Sequence, residues 1–160
     1  MTDPVYPECI RELYESEIFG EAWSLGLIKV AKNDRDYYQF GTLLQLETET
    51  KARLRPFLRK YNMSLLEDMD LSEISDAVAD YQKSTSFAEF ATITIPSVEE
   101  FLSRFQAIAA VAPPEDQEVV QSMVQHESAI LQWLEMESEG TTEGSVDAMI
   151  AQLQYPLPTP

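Results

Sequence analysis

Three glutamates interrupt the apolar stripes of predicted helices, and they are the residues of this sequence that could do chemistry. Glu47 and Glu127 each lie in the middle of such a stripe, and Glu17, or alternatively Glu21, does so in the first helix. The only histidine, His126, directly precedes Glu127. A charged carboxylate in a core costs several kcal/mol unless it meets a metal ion, a base, a hydrogen-bond donor or a proton. The pattern therefore predicts a metal site or a proton-sharing network where these helices meet.

The glutamates belong to helices because apolar residues recur around them in alternating steps of three and four. In the last long helix the stripe is Val120, Met123, Glu127, Ile130 and Leu134, and in the second it is Phe40, Leu43, Glu47, Thr50, Leu54, Phe57 and Tyr61. His126 is one residue before Glu127, so it is expected to point about 100° away around the helix.

The same periodicity predicts five helices and a short C-terminal segment, so the fold class is all-α. The helices are predicted over Glu8–Lys32, Asp34–Tyr61, Leu71–Lys83 with Ser72 as its N-cap, Ser97–Ala112, and Glu115–Ser138, and the short amphipathic segment over Ser145–Gln154.

Three stretches are predicted to lie outside these helices. Met1–Pro7 is expected to be a loose arm, because Pro4 and Pro7 remove backbone donors. Ser84–Pro96 is expected to be an irregular crossover, because its ATITI run is rich in β-branched residues. Tyr155–Pro160 is proline-spaced and is expected to be an untethered, extended tail.

Composition limits the function classes. A chain of 160 residues with 44% hydrophobic content fits one domain, interpreted here as a helical bundle over residues 1–140 and an extension over residues 141–160. A net charge of −17 argues against nucleic-acid binding, and no apolar run approaches the roughly 18 residues of a membrane span. Cys9 is the single cysteine, and no secretion signal is recognisable, which favours the cytoplasm.

Basic residues are concentrated in the second half of the second helix. They are Lys51, Arg53, Arg55, Arg59 and Lys60. Positive charge there offsets the helix dipole, so these residues are predicted to form a solvated helix end and not a ligand site.

The segments LLQLETETKARL and VVQSMVQHESAILQWLEMES resemble the ferritin-like, rubrerythrin-related four-helix bundles. The resemblance covers Glu8–Gly140 and implies an antiparallel bundle with a short extra helix in the crossover. In that superfamily two helices each give one Glu and two others each give a Glu-x-x-His pair, which together hold two iron or manganese ions.

The match of the family's ligands to this chain is incomplete. The resemblance implies Glu17 (or Glu21), Glu47 and Glu127 as ligands, but Thr50 and Ile130 stand where the pattern has histidine. The predicted helix Ser97–Ala112 offers no inward carboxylate. A complete di-iron centre is therefore not expected.

Two kinds of site remain open. The favoured one is metal-free, with Glu47 and Glu127 sharing a proton or bonding to Tyr14, Thr50 and His126. The alternative is a single iron, manganese or zinc ion held by Glu17, Glu47, Glu127 and His126.

Three functions follow from these sites. The first is a non-enzymatic binding or assembly module, expected to form a homodimer through a second apolar face of helix one that contains Ile18, Ala22 and Leu25. The second is an iron- or manganese-dependent oxidoreductase with an open coordination position. The third is a carrier of a small ligand, which the sequence does not identify, in a slot lined by Tyr14, Trp133 and the phenylalanines.

Overall fold

The computed structural model describes residues 5–160 and confirms the all-helical prediction. The helices are α1 (Tyr6–Val30), α2 (Asp34–Lys60), α3 (Ile74–Lys83), α4 (Phe87–Val111), α5 (Gln117–Ser138) and α6 (Asp147–Ile150), with a 3-10 turn at Pro114–Asp116. Within residues 5–160 there is no β-strand. None of the described helices is both long enough and apolar enough to cross a membrane.

The four long helices form two closely packed pairs. Helix α1 packs along α2, and α4 packs along α5, while α2 touches α5 and α1 touches α4 where the pairs meet. Helix α3 lies against α1 and α4, and α6 against α2 and α5.

The core consists of two apolar clusters. One contains Ile10, Leu13, Leu54, Phe105, Ile108, Val120 and Met123. The other contains Leu27, Phe40, Leu43, Phe90, Ile130, Trp133, Leu134 and Met149. Along α2 and α5 the change from one cluster to the other occurs at Glu47 and Glu127. The buried glutamates therefore form a polar layer between two apolar halves.

The prediction of a loose N-terminal arm over Met1–Pro7 is wrong for its last residues. Residues 1–4 lie outside the described part of the chain, but Tyr6 and Pro7 already form the first turn of α1. Proline is tolerated there because the first helical N–H groups have no intrahelical partner. The side chain of Tyr6 is buried in the core, which fixes this first turn.

The predicted crossover over Ser84–Pro96 is also wrong, because α4 begins at Phe87. The Ser86 hydroxyl accepts a hydrogen bond from the Glu89 N–H at 3.1 Å, and the Glu89 carboxylate accepts one from the Thr85 N–H at 2.6 Å. Together these bonds cap the helix start ten residues before Pro96, in a variant of the capping box in which Glu89 bonds to the residue before the N-cap. Burial of Phe90 outweighs the weak helix propensity of the β-branched run, and the helix continues through Pro96.

Helix α3 begins later than predicted, at Ile74, and Ser72 does not cap it. The Ser72 N–H instead donates to the Asp70 carboxylate at 2.9 Å. The preceding loop is held by Arg11 of α1, which donates to the carbonyl oxygens of Ser64 and Leu66 at 2.8 and 3.0 Å. Without a cap at Ser72, α3 begins three residues later than the predicted start at Leu71.

The C-terminal tail is tethered, in contrast to the prediction. The Glu49 carboxylate accepts hydrogen bonds from the N–H groups of Gln154 and Tyr155 at 2.8 and 3.0 Å. Gly41 makes room for Leu157, since a Cβ there would come within 2.8 Å of the Leu157 Cδ1. The tail therefore packs along α2.

The homodimer predicted through a second face of α1 stays a prediction. On that face Ile18 is buried inside the chain and Leu25 is exposed.

Candidate metal centre

The structure brings Glu17 of α1, Glu47 of α2 and both His126 and Glu127 of α5 to one interior point. The His126 Nε2 lies 3.4 Å from the Glu47 Oε2, 3.6 Å from the Glu17 Oε2 and 3.7 Å from the Glu127 Oε2. The exposed fraction of each residue is 0% for His126, 1% for Glu17, 5% for Glu47 and 6% for Glu127. These four side chains are called the Glu/His cluster below.

Neighbouring positions on α5 both reach the cluster. The expectation that His126 points away from Glu127 does not describe its imidazole, which is fully buried and faces all three carboxylates. The two residues flank the face of α5 that points to the interior, and both side chains are long enough to reach the cluster. Both residues therefore belong to the cluster.

Thr50 sets the orientation of the imidazole. Its hydroxyl donates to the Leu46 carbonyl oxygen at 2.7 Å, so its proton is already used. The His126 Nδ1 lies 3.1 Å from the Thr50 Oγ1 and must therefore be the donor of that hydrogen bond. With the proton on Nδ1, a neutral His126 directs the lone pair of Nε2 at the carboxylates.

Gly20 sets the position of Glu47. A Cβ on Gly20 would lie 2.5 Å from the carboxylate carbon of Glu47 and 2.6 Å from both of its oxygens. Glycine in a helix interior costs about 1 kcal/mol relative to alanine, so it needs a structural reason there. The reason here is that the Glu47 carboxylate lies directly against the backbone of α1, one turn after Glu17.

Burial dominates the electrostatics of the cluster. Burial, and next the charge of Glu47, raise the pKa of Glu17 well above its ordinary value. Burial raises the pKa of Glu47 to about 7, although a hydrogen bond to Glu17 limits the rise. Burial and the charge of Glu47 also raise the pKa of Glu127. Burial, with a smaller effect of Arg53, lowers the pKa of His126 to about 3. The histidine is therefore neutral, and the carboxyls favour protons when no other cation is present.

Two buried atoms of the cluster lack hydrogen-bond partners. They are the Nε2 of His126 and the Oε2 of Glu17. Buried polar atoms are almost always paired, and an unpaired one costs about 1–3 kcal/mol. Glu17, Glu47 and His126 each offer a ligand atom, and these three atoms lie within 4.8 Å of one another. An unpaired imidazole nitrogen next to carboxylate oxygens is a donor set suited to a transition-metal ion.

Glu21, the alternative to Glu17, lies outside the cluster. Its Oε2 forms an ion pair with the Lys51 Nζ at 2.7 Å, and the same Nζ lies 2.8 Å from the Glu67 Oε1. Lys51 is only 4% exposed, so the prediction of a solvated basic helix end is wrong for this residue. Tyr14 donates to Glu67 at 3.0 Å and not to Glu47 or Glu127.

The cluster borders a cavity of about 450 Å³ between α1, α3 and α4. Glu17, Glu47 and Glu127 lie in its wall, together with Gly20, Phe19, Trp23, Val98, Phe101 and Ile130. Trp133, predicted to line a ligand slot, instead packs in the core and donates to the Gln39 Oε1 at 2.7 Å. The cavity gives a small molecule a route to the buried carboxylates.

Sequence reasoning missed the roles of Gly20 and Lys51, and its ligand slot named Tyr14 and Trp133, which do not line the cavity, together with the phenylalanines, of which Phe19 and Phe101 do. A glycine in the middle of a long helical pattern is a signal of close approach, and Gly20 had that signal. Lys51 follows Glu47 by four residues, which places both on one face of α2. The cavity has no local signal, because its wall comes from five separate segments.

Comparison with known proteins identifies no relative. No protein-family model matches the chain, and neither curated proteins nor solved structures give a match.

Proposed function

We propose that this chain is a metal-binding protein with a ferritin-like antiparallel four-helix bundle, holding one divalent transition-metal ion inside. Glu17, Glu47 and His126 are the proposed ligands, and Glu127 is the proposed fourth. The unpaired Nε2 lone pair of His126, fully buried and facing three carboxylates, is the observation that carries the proposal. The two helix pairs, joined by a connection that contains α3, support the ferritin-like arrangement.

The spacing of the donor atoms supports a single ion. Tetrahedral coordination with metal–ligand distances of about 2.0–2.2 Å separates ligand atoms by roughly 3.3–3.6 Å. The distances from His126 Nε2 to Glu47 and Glu17 are 3.4 and 3.6 Å, and the ligand atoms of these three residues lie within 4.8 Å of one another. The Glu127 Oε2 lies 3.7 Å from His126 Nε2 but does not belong to this mutually close set. The separations between His126 Nε2 and the three carboxylates exceed the roughly 2.7–3.2 Å of ordinary hydrogen bonds, whereas Glu17 and Glu47 hydrogen-bond to each other.

The donor types narrow the choice of metal. Imidazole suits iron, zinc and copper, while carboxylates suit manganese and magnesium, so a mixed set favours iron or manganese, with zinc as a further candidate. The hydrogen bond from His126 Nδ1 to Thr50 supports the ligand, because metal-binding histidines usually donate their second ring nitrogen to an oxygen. A bound iron or manganese ion would supply redox or Lewis-acid chemistry at the wall of the cavity.

A matched pair of variants tests the proposal. Glu17→Gln keeps the size of the side chain and removes a proposed ligand. Glu21→Gln makes the same change one turn later on α1, at a residue paired with Lys51. Protein stripped with chelator is titrated with Mn²⁺, Fe²⁺ under anaerobic conditions, and Zn²⁺, and bound metal is counted by mass spectrometry after desalting.

Wild type and Glu21→Gln are expected to bind one metal ion per chain, and Glu17→Gln to lose at least ten-fold in affinity. The melting temperature of wild type should rise with metal concentration, because only the folded chain gathers the ligands. Equal binding by both variants would reject Glu17 as a ligand. No binding of any of the three metals by wild type would reject the metal site.

A further inference from the structure

The cavity beside the Glu/His cluster has aromatic walls. Phe19 and Trp23 come from α1 and Phe101 from α4, and the ring centroids of Phe19 and Phe101 are 6.5 Å apart. Ile93, Val98 and Ile130 complete the apolar wall. At about 450 Å³, the cavity lies within the roughly 300–1,000 Å³ typical of small-molecule sites. It is therefore large enough for an organic ligand with an apolar body.

All ionisable residues that line this cavity are acidic. They are Glu12, Glu15, Glu17, Glu47, Glu73, Asp80 and Glu127. Arg104 neutralises Glu12, and Arg11 pairs with Glu15, but neither arginine lines the cavity. In the described chain Glu73 and Asp80, both on the α3 side and exposed, have no cationic partner within ion-pair distance. Glu73 and Asp80 therefore supply most of the negative charge at the cavity, which attracts cations and repels anions.

Buried atoms without partners show that the walls are incomplete on their own. The Oε2 of Glu17 belongs to a residue that lines the cavity, and this acceptor has no hydrogen-bond partner. The Nε1–H of Trp23 is also unpaired, but it is a donor and an ammonium group does not satisfy it. Glu17 is 1% exposed and Trp23 is 9% exposed. A hydrated inorganic ion would not use the apolar walls, whereas a purely apolar molecule would not use the carboxylates.

We propose that this cavity binds an organic ammonium cation. The positive end of the ligand lies against the ring faces of Phe19, Trp23 and Phe101 near the carboxylates, as in aromatic sites for quaternary ammonium groups. Its apolar body lies along Ile93, Val98 and Ile130. The inference rests on the proposed function in one respect, because the metal ion would occupy the part of the wall formed by Glu17 and Glu47. Glu73, Asp80 and the rings are not proposed metal ligands.

Three matched probes test whether the cavity prefers a positively charged ligand. The probes are 4-phenylbutyl-trimethylammonium, 4-phenylbutanol and 4-phenylbutanoate, which share an apolar body and differ in charge. The quaternary cation has no lone pair and therefore cannot coordinate a metal. Binding to the whole chain is measured by calorimetry at low and at high salt, on metal-loaded and on metal-stripped protein. We expect the cation to bind at least ten-fold more tightly than the alcohol, and the carboxylate to bind most weakly.

Two variants locate the binding. Phe101→Leu keeps an apolar side chain at a residue that is 37% exposed, so the fold is expected to survive. It removes a ring face and is expected to weaken cation binding about five-fold or more, with little effect on the alcohol. Asp80→Asn should also weaken the cation selectively, whereas Glu99→Asn, an exposed residue of α4 outside the cavity wall, should not.

The outcomes separate this inference from the metal site. Cation binding that does not exceed alcohol binding, or that is unaffected by Phe101→Leu and Asp80→Asn, overturns the inference even if one metal ion binds. Selective cation binding in protein that takes up no metal supports the inference and leaves the metal proposal rejected. Preferential binding of the carboxylate overturns the charge argument directly.

Discussion

Gly20→Ala is the substitution that most directly probes the geometry of the proposed metal site. The new Cβ would lie 2.5 Å from the Glu47 carboxylate carbon and 2.6 Å from its oxygens. Non-bonded carbon atoms rest about 3.5–4.0 Å apart, so the carboxylate has to move by about 1 Å. A coordinating atom tolerates only about 0.2 Å of displacement. The variant should therefore lose at least ten-fold in metal affinity.

The same substitution should leave the fold intact. Replacing glycine by alanine in a helix interior favours the helix by about 1 kcal/mol. The atoms in the way belong to the end of a flexible side chain, so Glu47 can turn aside without moving the backbone. The free energy of unfolding of the metal-free variant is therefore expected within about 1 kcal/mol of wild type. Gly20→Ala is therefore expected to lower metal affinity while leaving the stability of the fold nearly unchanged.

Gly26→Ala is the matched control on the same helix. Its Cβ would lie 2.6 Å from the Val78 Cγ2, at the contact of α1 with α3, and no ligand is nearby. It should cost about 1–3 kcal/mol of stability through overpacking and leave metal affinity unchanged. The assay is calorimetric titration of metal into stripped protein, together with urea unfolding. Wild-type affinity in Gly20→Ala would refute the assigned position of Glu47.

Three further predictions concern the Glu/His cluster and the ion pairs of Lys51. Metal-free protein should lose stability between pH 6.5 and pH 8 in urea titrations, by about 1 kcal/mol from Glu47 alone, because the pKa of Glu47 is raised from 4.5 to about 7 in the folded chain. A raised carboxyl pKa stabilises the fold at low pH and ceases to do so as the pH rises through it. The opposite shift of His126 acts mainly below its ordinary value of 6.5, and above that value it offsets roughly half of the Glu47 effect. Stability that rises over this range without metal would contradict the burial of the carboxyls. Thr50→Val should lower metal affinity about 10- to 100-fold by removing the acceptor of the His126 Nδ1–H, and unchanged affinity would reject that ring orientation. Lys51→Met should cost about 1 kcal/mol or more in urea unfolding by leaving Glu21 and Glu67 unpaired, with metal stoichiometry unchanged; loss of the metal would place Lys51 in the site.

The sequence predicted the long helices and the placement of their glutamates because both depend on local spacing. Glu47 and Glu127 lie within apolar stripes, and a side chain on such a stripe must face the interior whatever the arrangement of the helices. Between Glu17 and Glu21 the spacing could not decide, since they are one turn apart. In the structure Glu21 forms an ion pair with Lys51, a buried cation on α2, and Glu17 therefore enters the cluster.

The errors lie where contacts between distant segments override local preference. The β-branched run before Pro96 is helical because Phe90 packs in the core with Phe40 and Tyr81. The tail is held by Glu49, more than 100 residues earlier in the chain. Neither partner can be recognised from the residues next to it in sequence.

The polar layer links the proposed function to the stability of the whole fold. The proposed ligands come from α1, α2 and α5. In the unfolded chain the segments that carry Glu47 and His126 are far apart, so the site cannot form without closing a long loop. A metal ion would therefore bind the folded chain alone, and its binding energy would add to the stability of folding. Without an ion, burial of the same carboxyls is unfavourable once they ionise, and two apolar clusters must offset this cost. The layer is therefore most favourable when a cation replaces the protons, which is the state that the unpaired Nε2 of His126 fits.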